Sequence, residues 1–88
     1  MKISYDPAKR ADTLAARGLD FEDAPKLFGG RPKTVVDDRF EYGEVRWLSY
    51  GWIDDVTIAV VWTEREGSRR IISMRRMHQE ETKNVGMD

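Results

Sequence analysis

The chain has 88 residues, 40% of them apolar and 35% charged, with a formal net charge of -1 and no cysteine. Residues 1–88 are expected to form one domain, since a chain of this size buries only about 60 to 65% of its unfolded surface around one small core. The composition excludes a disulfide framework, a thiolate zinc site and the strongly basic balance of a general nucleic-acid binder. No apolar run approaches the roughly 18 residues of a membrane span, and Met1 to Asp6 lack the apolar segment of a secretory signal, so a cytoplasmic location is expected.

Ile3 to Tyr5 reads as a short edge strand. Asp6 then suits a helix cap and Pro7 the first helical position. Ala8, Ala11, Leu14 and Ala15 recur at helical spacing, and Gly18 is a natural stop. Asp20 opens a second helix whose apolar stripe is Phe21, Ala24, Leu27 and Phe28, ending at Gly29-Gly30. Pro25 falls too deep for its first position, which predicts a short or bent helix. After Arg31-Pro32 the period becomes that of strands, at Thr34 to Asp38, Val45 to Trp52, Val56 to Glu64 and Arg69 to Met77. Turn signals at Asp54-Asp55 and Glu66-Gly67 make sequential antiparallel hairpins the economical topology. The polar tail after Met77 suits a short exposed helix ending at Gly86. The reading is an α+β fold: a twisted antiparallel sheet with two N-terminal helices and a short C-terminal one.

Charge is unevenly placed. Residues 1 to 61 carry nine basic and eleven acidic side chains, whereas residues 65 to 76 carry five basic and one acidic. Local field rather than total charge governs phosphate capture, and arginine offers a planar fork of donors that suits phosphate. On Val56 to Glu64, Val56, Ile58, Val60 and Trp62 share one face and Thr57, Ala59, Val61 and Thr63 the other, so this strand is expected to be central and covered on both sides. On the last strand, alternation puts Arg70, Ile72, Met74 and Arg76 on one face and Ile71, Ser73 and Arg75 on the other. Each arginine doublet therefore sends one guanidinium to each face. The alternative is that these arginines are solvated or paired with Glu64, Glu66, Glu80 and Glu81.

Asp6-Pro7-Ala8-Lys9 with Leu14 and Gly18 open a longer pattern. It continues through Phe21-Glu22-Asp23-Ala24 and Phe28, Asp38-Arg39, Arg46-Trp47-Leu48 and Gly51, to Thr63-Glu64-Arg65 and Arg70-Ile71-Ile72-Ser73-Met74-Arg75-Arg76. In this order and at these spacings the set closely resembles the BrnT family over nearly the whole chain. The resemblance implies a RelE-like ribonuclease fold and the role of toxin in a type II toxin-antitoxin pair. It also implies inhibition of translation by RNA cleavage, and neutralisation by a DNA-binding antitoxin, BrnA, through which alone the chain would meet operator DNA. Ala16-Arg17-Gly18 lacks the histidine that these proteins commonly carry before the glycine, and Val85 stands where an aromatic residue is common.

Metal-free RNA cleavage uses the neighbouring 2′-hydroxyl as nucleophile, so an enzyme must accept its proton, stabilise charge on phosphorus and help the 5′-oxygen leave. The expected catalytic set is Glu64, Arg65, Arg75 and Arg76. Arg75, with Arg65 or Arg76, binds the scissile phosphate, and Glu64 orients an arginine or accepts a proton. Lys9, Arg17 and Arg46 extend the RNA path. Strand parity motivates Arg75, and the resemblance motivates the others. His78, the only histidine, is read as an exposed group at a helix start. The paired acids Asp37-Asp38 and Asp54-Asp55 have poor geometry for joint ligation, so neither metal nor cofactor is expected. Two further readings stand beside the enzyme: a toxin homologue that has lost cleavage but still binds antitoxin and modulates repression, and a plain RNA-binding domain.

Overall fold

The computed structural model describes residues 1–39 and 41–87. Strands β1 (Lys2–Tyr5), β2 (Lys33–Val36), β3 (Trp47–Ile53), β4 (Val56–Arg65) and β5 (Ser68–Arg76) form one sheet in the order β1-β5-β4-β3-β2. The three pairings from β2 to β5 are antiparallel, and two-residue turns at Asp54-Asp55 and Glu66-Gly67 join β3 to β4 and β4 to β5, as the turn signals predict. β1 lies at the edge but pairs parallel to β5, so the sheet is mixed rather than wholly antiparallel. A tight turn dictates direction only for the strands it joins, and β1 is far from β5 in sequence. Among the described residues, no helix is long and apolar enough to cross a membrane.

Helix α1 (Pro7–Arg17) has the expected ends. The Asp6 carboxylate accepts from the Ala8 N–H at 2.9 Å, and Gly18 turns left-handed at φ 66°. Its packing does not follow from the spacing of Ala8, Ala11, Leu14 and Ala15. β1 covers β5 only as far as Ile71. From there α1 follows the free edge: its eleven residues span about 16 Å, as do the five residue steps from Ile71 to Arg76. Arg17 Nη1 donates to the Met74 carbonyl at 2.8 Å, and Arg76 Nη1 donates to the Arg17 carbonyl at 2.6 Å. These guanidinium donors satisfy one carbonyl of the helix and one of the strand at the C-terminal end of α1. A helix laid along a backbone edge presents donors rather than a wide apolar stripe. Accordingly α1 buries no residue, and Leu14 is 43% exposed.

Asp20 does open the next segment, but Pro25 divides it. A 3-10 turn at Phe21–Asp23 precedes α2 (Ala24–Gly29), whose first turn then contains the proline where no N–H is needed. Phe21, Ala24 and Leu27 are buried against Ile53, Ile58, Val60, Trp62, Ile71 and Met74, which form the core on the first face of the sheet. Gly51 permits this contact, because a Cβ there would stand 2.7 Å from Leu27 Cγ. Arg10 holds Asp20 in an ion pair at 2.7 Å and, with the Glu22 N–H, keeps its carboxyl at a pKa of about 2.

β4 is central and covered on both sides, as its two apolar faces imply. On the second face Leu48, Ala59, Val61 and Met77 are buried, and Tyr50, Ile72, Val85 and Met87 pack on them. Helix α3 (Gln79–Asn84) carries the last two residues there. A bulge interrupts β5: Val61 pairs with Ser73 but Trp62 with Ile71, leaving Ile72 without a partner. Strict alternation therefore fails. Ile71 joins Met74 and Arg76 on the first face, and Arg70 joins Ser73 and Arg75 on the second, the reverse of the expected placement of Ile71, Ile72 and Arg70. Each arginine doublet still divides between the faces.

Between β2 and β3 the chain is stapled by Asp37. This buried carboxylate accepts from Arg39 at 2.7 and 2.9 Å and from the Tyr42 hydroxyl at 3.1 Å, which holds its pKa at about 2. A depressed folded pKa stabilises above the unfolded value, and the gain is lost as pH falls through the folded one, so the window is pH 4 to 2. Urea denaturation should show stability falling across that window in the wild type, and Asp37→Asn should be less stable at pH 5 but lose less on acidification.

Candidate nucleic-acid interface

The second face gathers positive charge at one end. β4 ends on Arg65, the bulge turns Arg70 to the same side, the loop before β3 brings Arg46, and the first turn of α1 brings Lys9. Together with Asp6 they line a cavity of about 140 Å³. Glu44 organises one wall, bridging Arg46 at 3.2 Å and Arg65 at 3.1 Å, and these arginines hold its carboxyl below the usual range, Arg65 most strongly. Arg46 also lies over the Tyr42 ring at 4.1 Å. Among the described residues, Lys9 and Arg70 form no ion pair. Four cations against the carboxylates of Asp6 and Glu44 leave a positive site with two uncommitted groups. Such a site suits a phosphate diester.

Arg75 stands further along the same face. Arg70 lies opposite Thr63 and Arg75 opposite Ala59, four residues apart on β4 and so about 13 Å. Arg75 is engaged by its own chain: Nη1 and Nη2 donate to the two Glu81 oxygens at 2.7 Å each. Hydrogen bonding raises the Arg75 pKa and lowers that of Glu81. The pairing with Glu81 is one of those weighed from the sequence. A bidentate carboxylate occupies the donors that a phosphate would use.

The remaining expected residues are elsewhere. Arg17 and Arg76 clamp the end of α1, with Arg17 eight residues and about 12 Å along the helix from Lys9. Glu64 is exposed on the first face, opposite Arg69 and about 16 Å along β4 from the Arg75 pairing. It forms no ion pair among the described residues, because Arg69 instead stacks 4.2 Å from the Phe28 ring and 5.2 Å from the Trp62 ring. The structure thus joins Lys9, Arg46 and Arg65, places Arg75 on the same face, and does not bring Arg17, Glu64 or Arg76 to them. Arg70, Glu44 and Glu81 are the additions. No feature of the sequence marks the bulge that turns Arg70. The aromatic residues are chiefly structural: Trp62 is buried, its Nε1 donating to Ser49 Oγ at 2.8 Å, while Trp52 is half exposed.

A search of characterised proteins gives no significant match. The family model described as the ribonuclease toxin BrnT of type II toxin-antitoxin systems matches residues 5–81, and the chain belongs to that family.

Proposed function

We propose that this ribonuclease toxin cuts RNA laid along the second face of its sheet, without a metal ion, and so inhibits translation in the cytoplasm until a BrnA-type antitoxin covers it. The observation that carries the reading is the cavity of Lys9, Arg46, Arg65 and Arg70 on the face that also holds Arg75. Backbone phosphates bind at the cavity, and the Arg75 fork stabilises the charge that develops on the phosphorus under attack. Guanidinium groups supply here the electrostatic stabilisation that a cation would otherwise give. The strand order, with α2 on one face, α1 along the β5 edge and α3 at the margin of the other face, supports a RelE-like architecture. Arg17 and Arg76 act in this reading by holding α1 rather than by touching RNA, and Glu64, on the opposite face, stands apart from the site.

The Arg75–Glu81 pair favours one other reading, a homologue that binds antitoxin but no longer cleaves. Induced expression alone and with the neighbouring antitoxin gene separates the two by growth and RNA integrity. Purified chain should cleave an RNA oligonucleotide in the presence of EDTA. Arg70→Ala should weaken binding of a 2′-deoxy analogue about tenfold and lower the slope of log K against log salt by about 0.7, the single-strand value for one phosphate contact. Intact RNA at all enzyme concentrations, with antitoxin binding retained, would decide for the non-cleaving homologue.

A further inference from the structure

We propose that His78 is the proton acceptor and Tyr50 the proton donor of RNA cleavage in this chain, acting on a phosphodiester held at Arg75. The inference rests on the ribonuclease reading above and adds the acid and base which that reading lacks. Tyr50, Ala59 and Arg75 form one cross-strand row on the second face. The alanine between the two longer side chains is itself buried beneath them. Beside the start of α3, a cleft of about 640 Å³ is lined by Tyr50, Arg75, His78 and Glu81 among others. In this cleft the sole histidine of the chain meets an arginine of β5.

The backbone of His78 is fixed on both sides. Its N–H donates to Glu81 Oε1 at 3.4 Å, and its carbonyl accepts from the Thr82 N–H at 2.9 Å and the Thr82 hydroxyl at 3.1 Å. The ring is thereby carried at the rim of the cleft. The other charged or titratable groups that line the cleft are Arg75 from β5, Glu80 and Glu81 from α3, and Tyr50 from β3. Burial raises the pKa of Tyr50, so its hydroxyl keeps its proton through the neutral range.

Neutral His78 takes the proton of the 2′-hydroxyl as the 2′-oxygen bonds to phosphorus. The bond from phosphorus to the 5′-oxygen breaks, and the Tyr50 hydroxyl proton passes to that oxygen. The products are a 2′,3′-cyclic phosphate and a 5′-hydroxyl. Water then returns the Tyr50 proton and removes the one on His78, so no further reactant is required.

The test is single-turnover cleavage of an RNA oligonucleotide from pH 5 to 9 by wild type, His78→Asn and Tyr50→Phe, with binding of a 2′-deoxy analogue measured in parallel. Asparagine keeps the ability to cap α3. Both variants should bind the analogue within twofold of wild type and cleave about 100-fold more slowly or worse, the usual size of a general acid-base contribution. A His78→Asn chain that cleaves within threefold of wild type overturns the proposal and leaves the ribonuclease reading standing. A wild-type chain that leaves the RNA whole overturns both.

Discussion

Phe21→Ala is expected to lower the stability of the fold by about 3 to 5 kcal/mol, because the phenyl ring is fully buried and its removal leaves a cavity as well as losing transfer energy. The ring has no easy replacement. It sits at the start of the segment that closes the first face, edge-on to Tyr5 with centroids 5.9 Å apart, among Ala24, Leu27, Ile58 and Met74. The segment beneath it is short, a three-residue turn and a six-residue helix, so little intrinsic helical stability remains once the anchor is gone. A small domain holds about 5 to 15 kcal/mol in total, so the variant should be near its limit. Thermal unfolding followed by circular dichroism should show the midpoint falling by about 15 °C or more. Toxicity should fall with it, although Phe21 lies on the face away from the basic cavity. A variant within 5 °C of wild type would mean that the 3-10 turn and α2 are not the anchor of the first face.

Much of this architecture was legible because local signals and tertiary demands agree. Asp6-Pro7 and Gly18 bound α1 as read, Pro25 breaks the second helix, and the two-sided apolar pattern of Val56 to Trp62 marks the central strand. Three features were not legible, each for a physical reason. The direction of β1 depends on a long-range pairing with no turn to fix it. The exposure of Leu14 follows from α1 packing against a strand edge, where Arg17 and Arg76 make the contacts, and periodicity reports only which residues share a side. The unpaired Ile72 inverts the parity of everything before it on β5, so a reading from alternation assigns Arg70 to the wrong face. The placement of the candidate residues was accordingly legible in part: Lys9, Arg46 and Arg65 converge and Arg75 shares their face, whereas Arg70 required the bulge to be seen.

Arg75→Ala and Glu81→Gln should move RNA binding in opposite directions if Arg75 is a phosphate ligand. In the free chain the Arg75 fork is filled by the Glu81 carboxylate, at distances of 2.7 Å that match a charge-assisted bidentate pair. A phosphodiester must displace that carboxylate or share the guanidinium with it. Glu81→Gln removes the competing charge but keeps a hydrogen-bonding group on α3. Binding of a 2′-deoxy RNA analogue should tighten severalfold, at a loss of about 1 kcal/mol or less in stability for a pair that is partly exposed. Arg75→Ala should weaken binding and slow cleavage by about 100- to 1000-fold, the usual cost of removing one preorganised donor from developing charge. A purely structural pair gives another pattern. Both variants would then lose stability together, and neither would change analogue affinity once corrected for the folded fraction. Measuring unfolding and analogue binding on the same two proteins separates these cases.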